Sequence, residues 1–163
     1  MLIRLKNKDT LNIDEFTFKC SIGKNGLRLK KKEGDLCTPK GLYSLKKIFY
    51  RGDRIKNINT AIQKTKIKKQ MGWCNDPLHK KYNSLINIKD KIKHEKMFRK
   101  DNKYDLLIVL DYNLKNPIPF KGSAIFIHLT KNYKPTAGCI ALSKSDMQVL
   151  LKLANKKSKI ILS

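Results

Sequence analysis

Three apolar runs in the last third of the chain constrain its fold more than any other feature. Leu106-Leu107-Ile108-Val109-Leu110, entered from Tyr104-Asp105, has no polar interruption. Ser123-Ala124-Ile125-Phe126-Ile127-His128-Leu129 and Gly138-Cys139-Ile140-Ala141-Leu142 are built in the same way. Each is too short for a buried helix and rich in β-forming residues, so each reads as a strand covered on both faces. Upstream, Leu2-Ile3-Arg4-Leu5 and Phe16–Ile22 alternate apolar and polar with period two. Gly23-Lys24-Asn25-Gly26 and Pro39-Lys40-Gly41 supply turns between strands. Leu42–Leu45 and Ile48–Tyr50 extend the β pattern, and Lys159-Ile160-Ile161-Leu162 closes it. The one strong helical signal is late. Ser143 stands three residues before Asp146 as a short capping box, ahead of Met147, Leu150, Leu151 and Ala154 at helical spacing. Residues 51–103 are polar and weakly periodic, which predicts loops and short strands with room for one small helix. With no repeat or linker, residues 1–163 read as a single mainly β domain.

A chain of 163 residues is long enough for one core of its own. It carries 37 Lys and Arg against 13 Asp and Glu, a net charge of +24. That balance attracts anionic partners. The basic residues are almost all Lys, with Arg only at 4, 28, 51, 54 and 99. Arg is the residue of bidentate base and phosphate recognition, so a specific nucleic-acid reader is not expected. Lys64, Lys66, Lys68 and Lys69 alternate with Thr and Ile as the wet face of a strand or extended loop would. No apolar run reaches the ~18 residues of a membrane span. The start, Met1–Lys8, lacks the apolar core of a signal peptide. Four cysteines (Cys20, Cys37, Cys74 and Cys139) form no C-x-x-C pair and no disulfide framework. Cys74, His79 and His94 match no zinc spacing. No metal or cofactor is expected, and Cys20, Cys37 and Cys74 read as packing residues.

Cys139 is different because of its surroundings. A catalytic thiol needs a base or cation beside it, since a free cysteine is only a few per cent thiolate near neutral pH. It also needs donors for the oxyanion that forms when it attacks a carbonyl. In Thr136-Ala137-Gly138-Cys139-Ile140 the glycine permits close backbone approach, and the turn can aim consecutive N–H groups at one point. His128 precedes Cys139 on the neighbouring apolar run. If the two strands are neighbours joined by residues 130–137, their facing ends bring His128 beside Cys139.

His128 followed by Thr136-x-Gly138-Cys139-Ile140 resembles the signature of the YkuD-type L,D-transpeptidase catalytic domain. Further segments match in order: Ile22-Gly23-x-x-Gly26, Lys32-Glu33-Gly34-Asp35-x-x-Thr38-Pro39-x-Gly41 and Tyr50-Arg51-x-Asp53-Arg54. Gly72-Trp73-Cys74-Asn75-Asp76-Pro77, His94-Glu95, Tyr104-Asp105 and Gly122–Phe126 resemble a compact branch of the family. The resemblance implies a β-sandwich-like fold and acyl transfer on peptidoglycan stem peptides, with release of D-alanine and a 3→3 cross-link. Cys139 would be the nucleophile and His128 the general acid and base. Thr136 would orient imidazole or substrate, and the backbone N–H groups of Gly138 and Cys139 would form the oxyanion hole. Trp73, Asp76, His94 and Ser123 are the expected substrate-side residues. Many members carry Arg two residues after the cysteine, where this chain has Ala141; nearby lysines, Arg51 or Arg54 are the candidates to supply that charge. A monomer is expected, at the cell wall or in the periplasm, with anionic wall polymer as a further partner; the missing signal pattern leaves the cytoplasm open. The alternatives are an L,D-carboxypeptidase on the same fold, or a basic module binding nucleic acid or wall polymer through an inert-thiol domain.

Overall fold

A computed structural model describes residues 1–29 and 31–163. In chain order its strands are β1 (Leu2–Lys6), β2 (Thr10–Ile13), β3 (Phe16–Ser21), β4 (Leu27–Arg28), β5 (Thr38–Pro39), β6 (Gly41–Tyr50) and β7 (Lys64–Lys66). There follow β8 (Met71–Cys74), β9 (Leu85–Asn87), β10 (His94–Lys96), β11 (Leu106–Leu110), β12 (Phe126–Leu129) and β13 (Ile140–Leu142). Helix α1 (Lys144–Leu153) and β14 (Lys159–Leu162) complete the chain. The architecture is mainly β with a single α-helix among the described residues, as the sequence pattern predicts. Ser143 caps α1 by accepting the Asp146 N–H at 3.1 Å, and Met147, Leu150 and Leu151 are buried under it.

The large sheet runs β11-β12-β13-β3-β2-β1-β14-β6-β7, and a further β11–β6 pairing closes it on itself. Strands β3 and β6 each pair with neighbours on both sides and turn the corners of the sandwich. The closed interior holds the main core. Alternation then sorts each central strand: Leu106, Ile108 and Leu110 point inward, while Leu107 and Val109 point out into a second cluster. Ile127 and Leu129 of β12 and Ile140 and Leu142 of β13 also point inward. Phe126 and Cys139 therefore sit on the outer face, with Leu107, Trp73 and Tyr104. A small sheet, β10-β8-β9, covers that face. This is why the apolar runs lack alternation: both faces are buried, one by the sandwich interior and one by the small sheet.

Candidate active site

The candidate site lies on the outer side of β12 and β13. These strands are neighbours, but they run parallel, and His128 registers with Ala141. The expected meeting of facing ends is thus corrected: residues 130–139 cross back to the start of the next strand. Two residues before Ala141, Cys139 lies on the same face as His128 and diagonal to it. Both line one cleft of about 980 Å³.

The turn before Cys139 is fastened from two directions. The Thr136 hydroxyl donates to the Cys139 carbonyl at 2.6 Å and accepts the Gly138 N–H at 3.1 Å. Thr136 therefore holds the turn, and the Gly138 N–H it occupies is withdrawn from the expected oxyanion hole. Buried Thr38 donates to the Gly138 carbonyl at 2.8 Å and accepts the Gly23 N–H at 2.8 Å. Gly138 has φ +141, and a Cβ there would stand 2.7 Å from the Cys37 carbonyl oxygen. Only glycine fits this position.

His128 is buried, and its Nδ1 lies 2.9 Å from the Leu129 carbonyl. A carbonyl only accepts, so Nδ1 carries the proton and Nε2 is the free basic atom. Burial lowers the imidazole from 6.5 to about 4. The ring packs edge-on against Tyr104, with centroids 5.7 Å apart. Tyr104 is itself held by a 2.5 Å bond from its hydroxyl to Glu95.

The Cys139 thiol donates to the Ala124 carbonyl at 3.1 Å, and the Phe126 N–H points at the sulfur from 3.4 Å. Ala124 is left-handed, φ 53, which delays the start of the predicted strand 123–129 to Phe126 and turns the Ala124 carbonyl toward the thiol. Burial pushes the thiol up to about 12; Glu95 adds to the rise, while the Phe126 N–H, Lys31 and Lys103 oppose it. The resting pair is accordingly a neutral thiol and a neutral imidazole.

Ser123 and His94, two of the expected substrate-side residues, line the cleft. Ser123 donates to Glu33 at 2.8 Å, and His94 Nδ1 is held by the Ile92 carbonyl at 2.5 Å. Trp73 and Asp76 are not among the lining residues. The Trp73 indole packs on Phe49 and Phe126 and donates to Asn83 at 2.9 Å, so it supports β12 from beneath. Asp76 accepts the Leu78 N–H and shapes its own turn. Arg51 is tied to Asp53 and the Arg99 carbonyl, and Arg54 to Asp105. Neither reaches the cleft; its cations are Lys31, Lys96, Arg99, Lys103, Lys131 and Lys134. Lys31 and Glu33 carry no role of their own in the sequence, and Glu95 stands there only as part of the His94-Glu95 pair. Lys31 is hidden between two other lysines, and the acids sit in motifs whose individual roles spacing does not reveal. All four cysteines are free and buried.

A family model described as YkuD, L,D-transpeptidase catalytic domain, matches residues 3–162. Among solved structures, Bd1075 of Bdellovibrio bacteriovorus is similar at 15% identity and a TM-score of 0.49. The match covers 99% of this chain and 47% of that one, so this chain spans about half the length of that structure. No curated protein matches the chain.

Proposed function

Because the chain belongs to the L,D-transpeptidase catalytic-domain family, we propose that it is a cysteine acyltransferase of peptidoglycan, working through a thioester at Cys139. The observation that carries this reading is the shared face and cleft of Cys139 and His128, with the imidazole held so that Nε2 is its base. His128 Nε2 takes the thiol proton as Sγ attacks the carbonyl that precedes the terminal D-alanine of a tetrapeptide stem. The carbonyl electron pair moves onto oxygen. On collapse the C–N bond breaks and His128 returns the proton to the departing amine, leaving the thioester. A second stem's amine then takes the acyl group, giving a 3→3 cross-link; water in its place gives a carboxypeptidase. The neutral resting pair fits this order of events, because the thiolate forms only as attack begins. Thr136 and Thr38 keep the turn rigid, while His94 and Ser123 face the stem peptide.

Release of D-alanine from a tetrapeptide muropeptide tests the proposal. Cys139→Ser and His128→Ala should each lose on the order of 10³-fold or more in turnover. The double variant should be scarcely worse, because the two groups act as one unit. Melting temperatures should stay within about 4 °C for Cys139→Ser. Wild-type turnover by a folded Cys139→Ser protein would refute the thioester.

A further inference from the structure

Lys31 is the one buried lysine among the described residues, 3% exposed. Its ammonium donates to Asp35 at 2.7 Å and lies 3.4 Å from the Lys32 carbonyl. Asp35 also accepts the Lys32 and Cys37 N–H groups at 2.8 and 3.0 Å. The stem runs through space left by a glycine: a Cβ on Gly122 would stand 2.9 Å from Lys31 Cε. Its head reaches a second one, with Nζ 3.4 Å from where a Gly138 Cβ would be. The ammonium therefore arrives beside the residue that precedes the nucleophile, and it lines the same cleft. A buried ion pair is weak evidence of a stabilising role, since apolar or neutral partners of similar shape commonly hold a fold as well. A charge brought to this point has a clearer use.

Attack on a carbonyl needs donors where the negative oxygen develops. The Gly138 N–H is engaged by Thr136, and the Phe126 N–H faces the sulfur. The Cys139 N–H, next to the sulfur by covalent geometry, is a first donor, and an oxyanion hole is built from more than one. We propose that the Lys31 ammonium is the second donor, stabilising the oxyanion in the place that the Gly138 N–H would otherwise fill. The proposal rests on Cys139 being an acyl-transfer nucleophile, but not on the identity of the natural substrate. In the step itself the S–C bond forms as the thiol proton passes to His128. The carbonyl π pair becomes the oxyanion beside Lys31, and it returns to the C=O bond as the leaving group departs.

Two reagents separate this role from a structural one. p-Nitrophenyl acetate acylates a thiol through a tetrahedral oxyanion, releasing p-nitrophenolate. Iodoacetamide alkylates the same thiol by displacement at carbon, with no oxyanion. Lys31→Met should slow acetylation of Cys139 by about a hundredfold, the usual effect of removing one such donor, and alkylation by less than about threefold at matched thiolate fraction. If Lys31→Met does not fold, Lys31→Met/Asp35→Asn removes both charges together and should show the same contrast. Equal losses with both reagents, no loss with either, or a wild-type Cys139 inert to the ester would each overturn the proposal. A wild-type protein that shows the contrast yet releases no D-alanine from muropeptide would leave Lys31 in its role and remove the peptidoglycan substrate.

Discussion

Burial sets how His128 titrates, and that has consequences for both rate and stability. With its imidazole lowered to about 4, His128 remains a neutral base well below the usual histidine range. The acid limb of kcat/KM for D-alanine release should fall near pH 4–5, and a limb at about 6.5, the value of a free imidazole, would contradict the buried geometry. Stability follows the same shift. The unfolded chain binds the proton more readily between pH 6.5 and 4, so the folded state loses stability as pH falls through that window. This one group should lower stability by about 2 kcal/mol from pH 7 to pH 5, and His128→Ala should narrow the wild-type gap in unfolding free energy by that amount. An unchanged gap would count against it. At this scale the pairing of Cys139 with His128 in one cleft is legible in the sequence, because Gly-Cys and an upstream His on apolar runs are distinctive. Lys31 is not legible: it is the middle of three consecutive lysines, and its burial is decided by Asp35, Gly122 and Gly138. Trp73, expected on the substrate side, lies instead in the packing beneath the cleft, where Asn83 satisfies its indole and two rings enclose it.

The strands themselves are readable from period and composition, but their direction is not. Nothing in residues 123–142 distinguishes a hairpin from a parallel crossover, and the answer moves Cys139 two residues along from the row that pairs with His128. Strand ends shift for a local reason at Ala124, whose left-handed backbone no propensity predicts. β2 escapes notice because its alternation is only Leu11 and Ile13 between polar neighbours; its pairing with β1 is set by the left-handed Asn7-Lys8 turn. The turn before Cys139 gives a sharp test of how much the element depends on a single backbone position. Gly138→Ala drives a Cβ to 2.7 Å from the Cys37 carbonyl at a φ of +141, so the turn must move. The expected result is a destabilisation of about 1–3 kcal/mol with loss of D-alanine release of about a hundredfold or more. Gly26→Ala is the matched control, with φ +73 and nothing within 4 Å of the new methyl. It should destabilise by about 1 kcal/mol and leave turnover intact. Equal effects of the two substitutions on turnover would show that the Cys139 turn tolerates displacement.

Closure of the large sheet joins the two ends of the chain, Leu2 registering with Lys159 and Arg4 with Ile161. Such long-range pairing lies outside any local sequence signal, so a mainly β domain is legible but the closed order is not. The +24 charge is spread over this closed body. Part of it has a structural reading: among the described residues β7 pairs only with β6, and its exposed Lys64 and Lys66 discourage strand addition at that edge. Those lysines are the wet strand face that their alternation predicts, with Ile67 buried beside them. Edge protection does not require an excess this large, and the excess is lysine, a hydrated point charge with little geometric preference. Diffuse attraction to an anionic polymer is the use that the sequence leads one to expect for it. Binding to poly(glycerol phosphate) should then weaken linearly in log K against log salt, losing at least tenfold between about 50 and 200 mM NaCl. DNA duplexes of unrelated sequence should bind with affinities within about threefold of one another, and Cys139→Ala should leave both interactions unchanged. An affinity flat in salt would remove the electrostatic role. A strong preference for one DNA sequence would replace it with specific recognition, which a lysine-dominated surface is poorly equipped to provide.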